Sequence, residues 1–205
     1  MRLVRRPTTI AGMLTNARAA LPAPPARVLE VGAGDGELAA VLADAGYDVV
    51  AIDPASTADN VRPVRLNELE DEPFDAAVAV VSLHNVEPLV ESVRRLAELV
   101  RPGGTLVIDE IDVERLDEHA VRWWLEHSGH AREAAEIVAE MREHLHSLDR
   151  LSEALAAWFV LGEPVRGSYL HRWNLPPGLR DAEELLLAAG ELPAIGARLV
   201  GVRRP

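Results

Sequence analysis

Residues 27–39 read RVLEVGAGDGELA, and their order decides the fold. An apolar run, Val28-Leu29-Glu30-Val31, breaks into glycines at alternate positions, Gly32, Gly34 and Gly36. Helical spacing follows, with Leu38, Val41 and Leu42. A buried strand, a tight turn and a helix are the parts of a ligand crevice in an open α/β sheet. Glycine tolerates positive φ and lets backbone approach a ligand, and the helix start offers unpaired N–H groups. A dinucleotide fingerprint, G-x-G-x-x-G, would need glycine where Glu37 stands, which argues against a nicotinamide-dependent oxidoreductase. A P-loop would need a Lys-Ser or Lys-Thr pair, and none follows. A glycine turn with no ligand is the bland alternative. Three alternating glycines weigh against it, since each interior glycine costs up to ~1 kcal/mol relative to alanine.

Outward from this stretch the chain alternates strands with crossover helices. The first helix is expected over residues 35–45, with Gly46 as its C-cap. Strand two is residues 48–52, ending at Asp53 and closed by Pro54, and a short strand three is expected near residues 61–66. Strand four is residues 74–81, a helix spans about 87–100 and is stopped by Pro102-Gly103-Gly104, and strand five is residues 105–110. Such near-continuous aliphatic runs suit a parallel sheet buried on both faces, so the fold class is α/β, a doubly wound, mostly parallel sheet. From about 113 to 161 the spacing is helical, predicting two or three inserted helices divided at Gly129 and Ser147. Residues 165–173 fit either a strand or a short helix. Residues 181–189 predict a helix capped by Asp181 and Gly190, and 194–203 a last strand. Upstream, residues 8–20 predict an amphipathic helix, ended by the stiff Leu-Pro-Ala-Pro-Pro lead.

Composition narrows the function classes. With 205 residues the chain fits one domain, and 48% hydrophobic residues are ample for a core. No run of eighteen apolar residues occurs, so no membrane span is expected. The N-terminal apolar residues are interrupted by Thr, Asn and Arg, unlike a signal peptide. There is no cysteine, hence neither a disulfide framework nor a thiolate metal site, which is compatible with a cytoplasmic location. A net charge of −12 with scattered arginines repels phosphate backbones, so neither nucleic acid nor an anionic membrane is an expected partner.

Four landmarks in order carry a family resemblance. LEVGAGDGEL (29–38) resembles motif I of the class I S-adenosylmethionine (SAM) dependent methyltransferases. Asp53 in VVAIDP is similar to the acidic residue that ends their strand two. FDAAVAVVSLHNVEPL (74–89) resembles their motif IV, and LVRPGGTLVIDE (99–110) their PGG-strand motif. The resemblance covers residues 27–111 well, and DAEELLLAAG (181–190) extends it weakly. It implies a Rossmann-like single domain. A SAM-binding core would span 27–111, a mostly helical lid or substrate insertion about 112–180, and a closing helix and strand 181–205. The sequence departs from the pattern at Glu191-Leu192, where an aromatic is usual, at Asn85, where a second histidine is common, and at Asn67, where aspartate is frequent.

The resemblance implies SAM as cofactor, bound by Gly32, Gly34 and Gly36, by the Asp53 carboxylate at both ribose hydroxyls, and by Asn67 or Glu68 at the adenine. Glu30 either binds the cofactor's amino group or braces the glycine loop. Asp35 fits a helix cap better than a ligand contact, and Ser82 ends strand four at the crevice. His84 is the candidate general base, because imidazole titrates near neutrality; orienting the loop is the alternative. Glu110, at the rim of strand five, is a candidate substrate contact or a solvated acid. Trp123, Trp124, His127 and Tyr169 in the inserted segment suit either an apolar acceptor pocket or the packing of a helical lid. His127 and His130 share a helix face but belong to no metal motif, so no metal is expected. The expected function is methyl transfer to a small-molecule acceptor. The alternative is a SAM-binding fold without turnover, serving as a regulator or partner subunit. Oligomeric state is not legible.

Overall fold

The computed structural model describes residues 20–176 and 178–205, so the helix expected over residues 8–20 lies outside the described residues except at Ala20. The described strands are β1 (Arg27–Val31), β2 (Asp48–Ile52), β3 (Phe74–Val80), β4 (Val100–Ile111), β5 (Phe159–Leu161), β6 (Val165–Gly167) and β7 (Gly196–Arg203). They form one sheet in the order β2-β1-β3-β4-β7-β5, with β6 also paired to β7. The first four run parallel, whereas β7 is antiparallel to β4 and to both short strands. The chain leaves β1 towards β2 on one side and returns to β3 on the other. The carboxyl ends of β1 and β3 therefore flank a topological switch point, where open α/β sheets bind ligands.

The helices are α1 (Glu37–Asp44), α2 (Leu89–Leu99), α3 (Glu118–Ser128), α4 (Ala134–His144), α5 (Leu148–Ala156) and α6 (Leu179–Ala188). Alternation along each strand sends side chains to opposite faces. Leu29, Val31, Ala77, Ala79, Leu106 and Ile108 pack on one face with α2 and α5. Val28, Val78, Val80 and Val107 pack on the other with Leu38 and Leu42 of α1. The buried face of α2 carries Leu89, Val93 and Leu96, the spacing of one helical stripe. A third cluster, around Trp124, Tyr169 and Trp173, joins α3, α4 and the segment after β6 beyond the end of β4.

Several sequence expectations are corrected. Residues 61–66 form no strand: a single bridge pairs Ile52 with Arg62, and a 3-10 turn occupies Leu66–Glu68. Pro63 has no N–H with which to continue a ladder. Pro102-Gly103-Gly104 does not stop α2, which already ends at Leu99. The Pro-Gly-Gly run lies inside β4, where the register against β3 shifts between Phe74 and Ala76. A Cβ on Gly104 would lie 2.7 Å from a Val100 methyl and 2.9 Å from the Asp75 carbonyl, so this irregular stretch needs glycine. The helical run expected to reach 161 ends at Ala156, and β5 follows. Residues 165–173 contain both expected alternatives, a three-residue strand and then a 3-10 turn at Leu170–Arg172. Helix α6 starts two residues before Asp181, with Gly178 at its N-cap, so Asp181 sits in the first turn. The divisions at Gly129 and Ser147 hold: Gly129 ends α3 at φ 71, and Ser147 Oγ accepts the Arg150 N–H at 3.2 Å to start α5.

Candidate functional site

At the switch point lies a cavity of about 230 Å³, lined by Val31, Gly32, Asp53, Asn67, Val81 and Ser82 among others. Of the three turn glycines Gly32 lines it, while Gly34 and Gly36 lie outside the lining; the turn is held from both sides. The Gly34 N–H donates to Asp53 Oδ2 at 3.0 Å, and the Gly34 carbonyl accepts from the Ser56 hydroxyl at 2.5 Å. Asn60 Nδ2 donates to the Gly36 carbonyl at 2.8 Å. The glycines do different work. A Cβ on Gly32 would lie 2.3 Å from Ser82 Cβ, so this glycine lets β1 and the loop after β3 come together; a Cβ on Gly34, at φ 60, would meet nothing within 4 Å. Asp35 Oδ1 accepts the Glu37 N–H at 3.2 Å, but Gly36 and not Asp35 is the N-cap of α1, which has no side-chain cap.

Asp53 closes the turn from β2. Its Oδ1 accepts the Ala55 N–H at 2.8 Å and its Oδ2 the Gly34 N–H. A carboxylate has about four acceptor sites, so two remain for hydroxyl donors in the cavity. Asn67 and Ser82 line the same space. Asn67 Oδ1 and Ser82 Oγ are both buried without a hydrogen-bond partner, an exception among buried polar groups. Glu68, the alternative to Asn67, is exposed and outside the lining. Glu30 is fully buried in the middle of the sheet, facing the same side as Val28. Val81, at the end of β3, has φ 54, an uncommon conformation for a β-branched residue and one that gathers at functional sites.

The structure places His84 and Glu110 together, but in the core and not in the crevice. Glu110 is fully buried, so it neither contacts solvent nor projects as a rim group. Its Oε1 accepts the Ser82 and Leu83 N–H groups at 2.7 and 2.6 Å, and its Oε2 lies 2.5 Å from His84 Nδ1. The Glu110 side chain thus fixes the loop after β3. Only 1% of His84 is exposed, and its Nε2 has no hydrogen-bond partner. The inserted segment locks the loop from outside. The His146 N–H donates to the His84 carbonyl, and His146 Nε2 sits 2.9 Å from the Val86 carbonyl.

The aromatic candidates separate. Trp124 and Tyr169 are buried, each edge-on to Trp173, and Trp124 Nε1 donates to the Trp173 carbonyl at 2.9 Å. They are core residues of the third cluster. Trp123 is half-buried against the third cluster, and its ring lies 4.7 Å from that of exposed His127, tilted by 38°. None of these four lines the cavity. Asn60 and Ser56, which shape the glycine turn, carry no sequence signal beyond their place in a loop.

A profile of a methyltransferase-domain family matches residues 5–159. The chain belongs to this family. As a methyltransferase domain it is similar to two groups of curated relatives. Uncharacterized methyltransferases of Mycobacterium tuberculosis and Mycobacterium bovis are 35% identical over 98 residues, covering 42% of this chain and 40% of theirs. A ubiquinone biosynthesis O-methyltransferase of Xanthomonas campestris pv. campestris is 35% identical over 115 residues, covering 47% and 46%. The matches span under half the length of these relatives. The fold is that of solved SAM-dependent methyltransferases. A structure from Listeria monocytogenes aligns with TM-score 0.62 at 13% identity over 96% of this chain and 99% of that one. One from Mesorhizobium loti aligns with TM-score 0.62 at 16% identity over 95% and 100%. The methyltransferase sheet is thereby confirmed as Rossmann-like. Among the described residues no helix is long and apolar enough to cross a membrane.

Proposed function

We propose that the crevice binds SAM and that the protein transfers its methyl group to a small-molecule acceptor. The observation that carries this reading is the convergence on one cavity of Asp53, Asn67, Ser82 and Gly32, with Asn67 Oδ1 and Ser82 Oγ buried and unpartnered. In this reading the ribose binds at Asp53, the adenine lies towards Asn67, and the methionine portion runs along the turn of Gly32, Gly34 and Gly36. A solved relative in fold, the 1,6-didemethyltoxoflavin-N1-methyltransferase of Burkholderia thailandensis, carries bound 1,6-didemethyltoxoflavin and S-adenosylhomocysteine. We place the enzyme in the cytoplasm.

Bound SAM supplies an activated methyl on a sulfonium with a neutral leaving group. The task left to this chain is alignment and exclusion of water, worth up to ~7–11 kcal/mol in favourable cases. Asp53 and the glycine turn hold one end, while the loop 82–87 is fixed by Glu110 below and His146 above. His84 acts in this scheme as a positioning residue for that loop. Cofactor binding without turnover is the second reading, favoured by the packing of Trp124 and Tyr169 into the core, which leaves them unable to line an acceptor pocket. Isothermal titration with SAM and S-adenosylhomocysteine tests the first step, and silence with both at ~1 mM, far above a typical working Kd, would sink it. A methylation assay over a panel of small acceptors separates the two readings.

A further inference from the structure

A second cavity, of about 260 Å³, lies beside β7, β6 and α6, and the proposed activity makes no use of it. It sits at the carboxyl edge of the sheet, since its wall residues Gly196, Ala197 and Arg198 pair with Ile111, Glu110 and Asp109. Four arginines line it: Arg166, Arg172, Arg180 and Arg198. In a chain with net charge −12 this is a local inversion of sign.

Three of the four have a dedicated carboxylate. Arg172, nine-tenths buried, gives both terminal nitrogens to Asp109 at 2.9 and 3.1 Å. Burial works against the Arg172 charge, yet Asp109 outweighs it and holds the guanidinium above its ordinary pKa. Arg166 pairs with Asp112, and Arg180 Nε donates to Glu184 at 2.7 Å. Glu183, behind the wall, is committed to the Tyr169, Leu170 and His171 N–H groups and to the His171 ring. Arg198 has no carboxylate of its own and shares Asp109 with Arg172. Its Nε is buried without a hydrogen-bond partner, 3.5 Å from an Asp109 oxygen that Arg172 already occupies. Arg172 Nε is likewise buried and unpartnered.

We propose that this cavity is a binding site for a small carboxylate, with the Arg198 guanidinium as its primary contact. A guanidinium fork matches a carboxylate in two parallel hydrogen bonds. Four guanidiniums face three carboxylates, Asp109, Asp112 and Glu184, with Arg198 and Arg172 sharing Asp109; the single charge left over balances a monoanion, whereas a phosphate dianion would leave a net negative charge. The site is independent of the cofactor reading.

The test is ligand-observed NMR titration of the full chain with benzoate, neutral benzamide and inorganic phosphate, without cofactor. Saturable benzoate binding is expected, with benzamide and phosphate at least ~10-fold weaker. Arg198→Met should weaken benzoate by a further ~10-fold or more, and Arg198→Lys by less. Arg101→Met, which removes the same charge from a residue paired with Asp75 at the far end of β4, should leave binding unchanged. Thermal unfolding checks that each variant folds, and if Arg198→Met does not, the benzoate–benzamide contrast in the natural chain and the Arg198→Lys result decide. No saturable benzoate binding, equal binding of benzamide, tighter binding of phosphate, or equal affinity in the Arg198 and Arg101 variants would each overturn the proposal.

Discussion

Gly32 and Gly34 stand two residues apart in one turn, both at positive φ, yet alanine should act differently at each. At either site alanine meets the left-handed penalty of roughly 1–2 kcal/mol. At Gly32 the new methyl also lies 2.3 Å from Ser82 Cβ, where neither backbone can retreat without moving β1 or β3. Overpacking of this kind adds about 1–3 kcal/mol, so Gly32→Ala should cost about 2–5 kcal/mol. For a domain of this size each kcal/mol lowers Tm by ~2–4 °C, giving a drop of roughly 4–20 °C. At Gly34 the methyl meets nothing within 4 Å. Gly34→Ala should therefore lose only the backbone term, roughly 2–8 °C. The Gly34 N–H donates to Asp53 Oδ2, so a backbone shift here disturbs the carboxylate proposed to hold the cofactor, and S-adenosylhomocysteine affinity should fall ~10-fold or more. Thermal unfolding and isothermal titration on both variants read the two effects. A Gly32→Ala protein as stable as the natural one, or a Gly34→Ala protein the less stable of the pair, would refute the division of roles.

Other consequences follow from the same contacts. Asp53→Ala removes the carboxylate that organises the turn and faces the cavity, so S-adenosylhomocysteine binding should weaken at least ~10-fold by titration, with folding retained. Glu110→Ala leaves the Ser82 and Leu83 N–H groups and His84 Nδ1 without their buried acceptor, and should cost about 3–5 kcal/mol in urea unfolding. Burial alone would raise the Glu183 pKa, but the His171 ring and three backbone N–H groups outweigh it and hold the carboxyl below its ordinary value. A depressed folded pKa contributes stability that is present above the unfolded pKa of about 4.3 and lost as pH falls through the folded value. Glu183→Gln should therefore be less stable than the natural protein at neutral pH, and the gap should narrow on acidification below ~4, as read from unfolding curves across pH.

The core of the fold was legible because its signals are local. The β1–glycine–α1 stretch, Asp53 at the end of β2 and the aliphatic run of β3 each state their structure in a few residues. What failed was long-range. Val61, Val64 and Leu66 read as strand, but whether they pair depends on Pro63 and on a neighbouring edge that offers one bridge. Trp124 and Tyr169 read equally as pocket or core, and only the docking of α3 against the turn after β6 places them inside. Glu110 looked like a rim acid because it ends a strand. Its partners, Ser82 to His84, lie 26 to 28 residues away in the chain. The arginine cavity was missed altogether. Its one sequence hint was Asp109 in the apolar run of β4, a buried charge that demands a cation, and Arg172, 63 residues on, supplies it.

The central claim is that the crevice at the end of β1, β2 and β3 is the SAM site. The most direct measurement is a crystal structure of the protein with S-adenosylhomocysteine. The account predicts both ribose hydroxyls within hydrogen-bond reach of the Asp53 carboxylate and the adenine beside Asn67. Ligand density absent from this crevice, or a ribose bound away from Asp53, would contradict it.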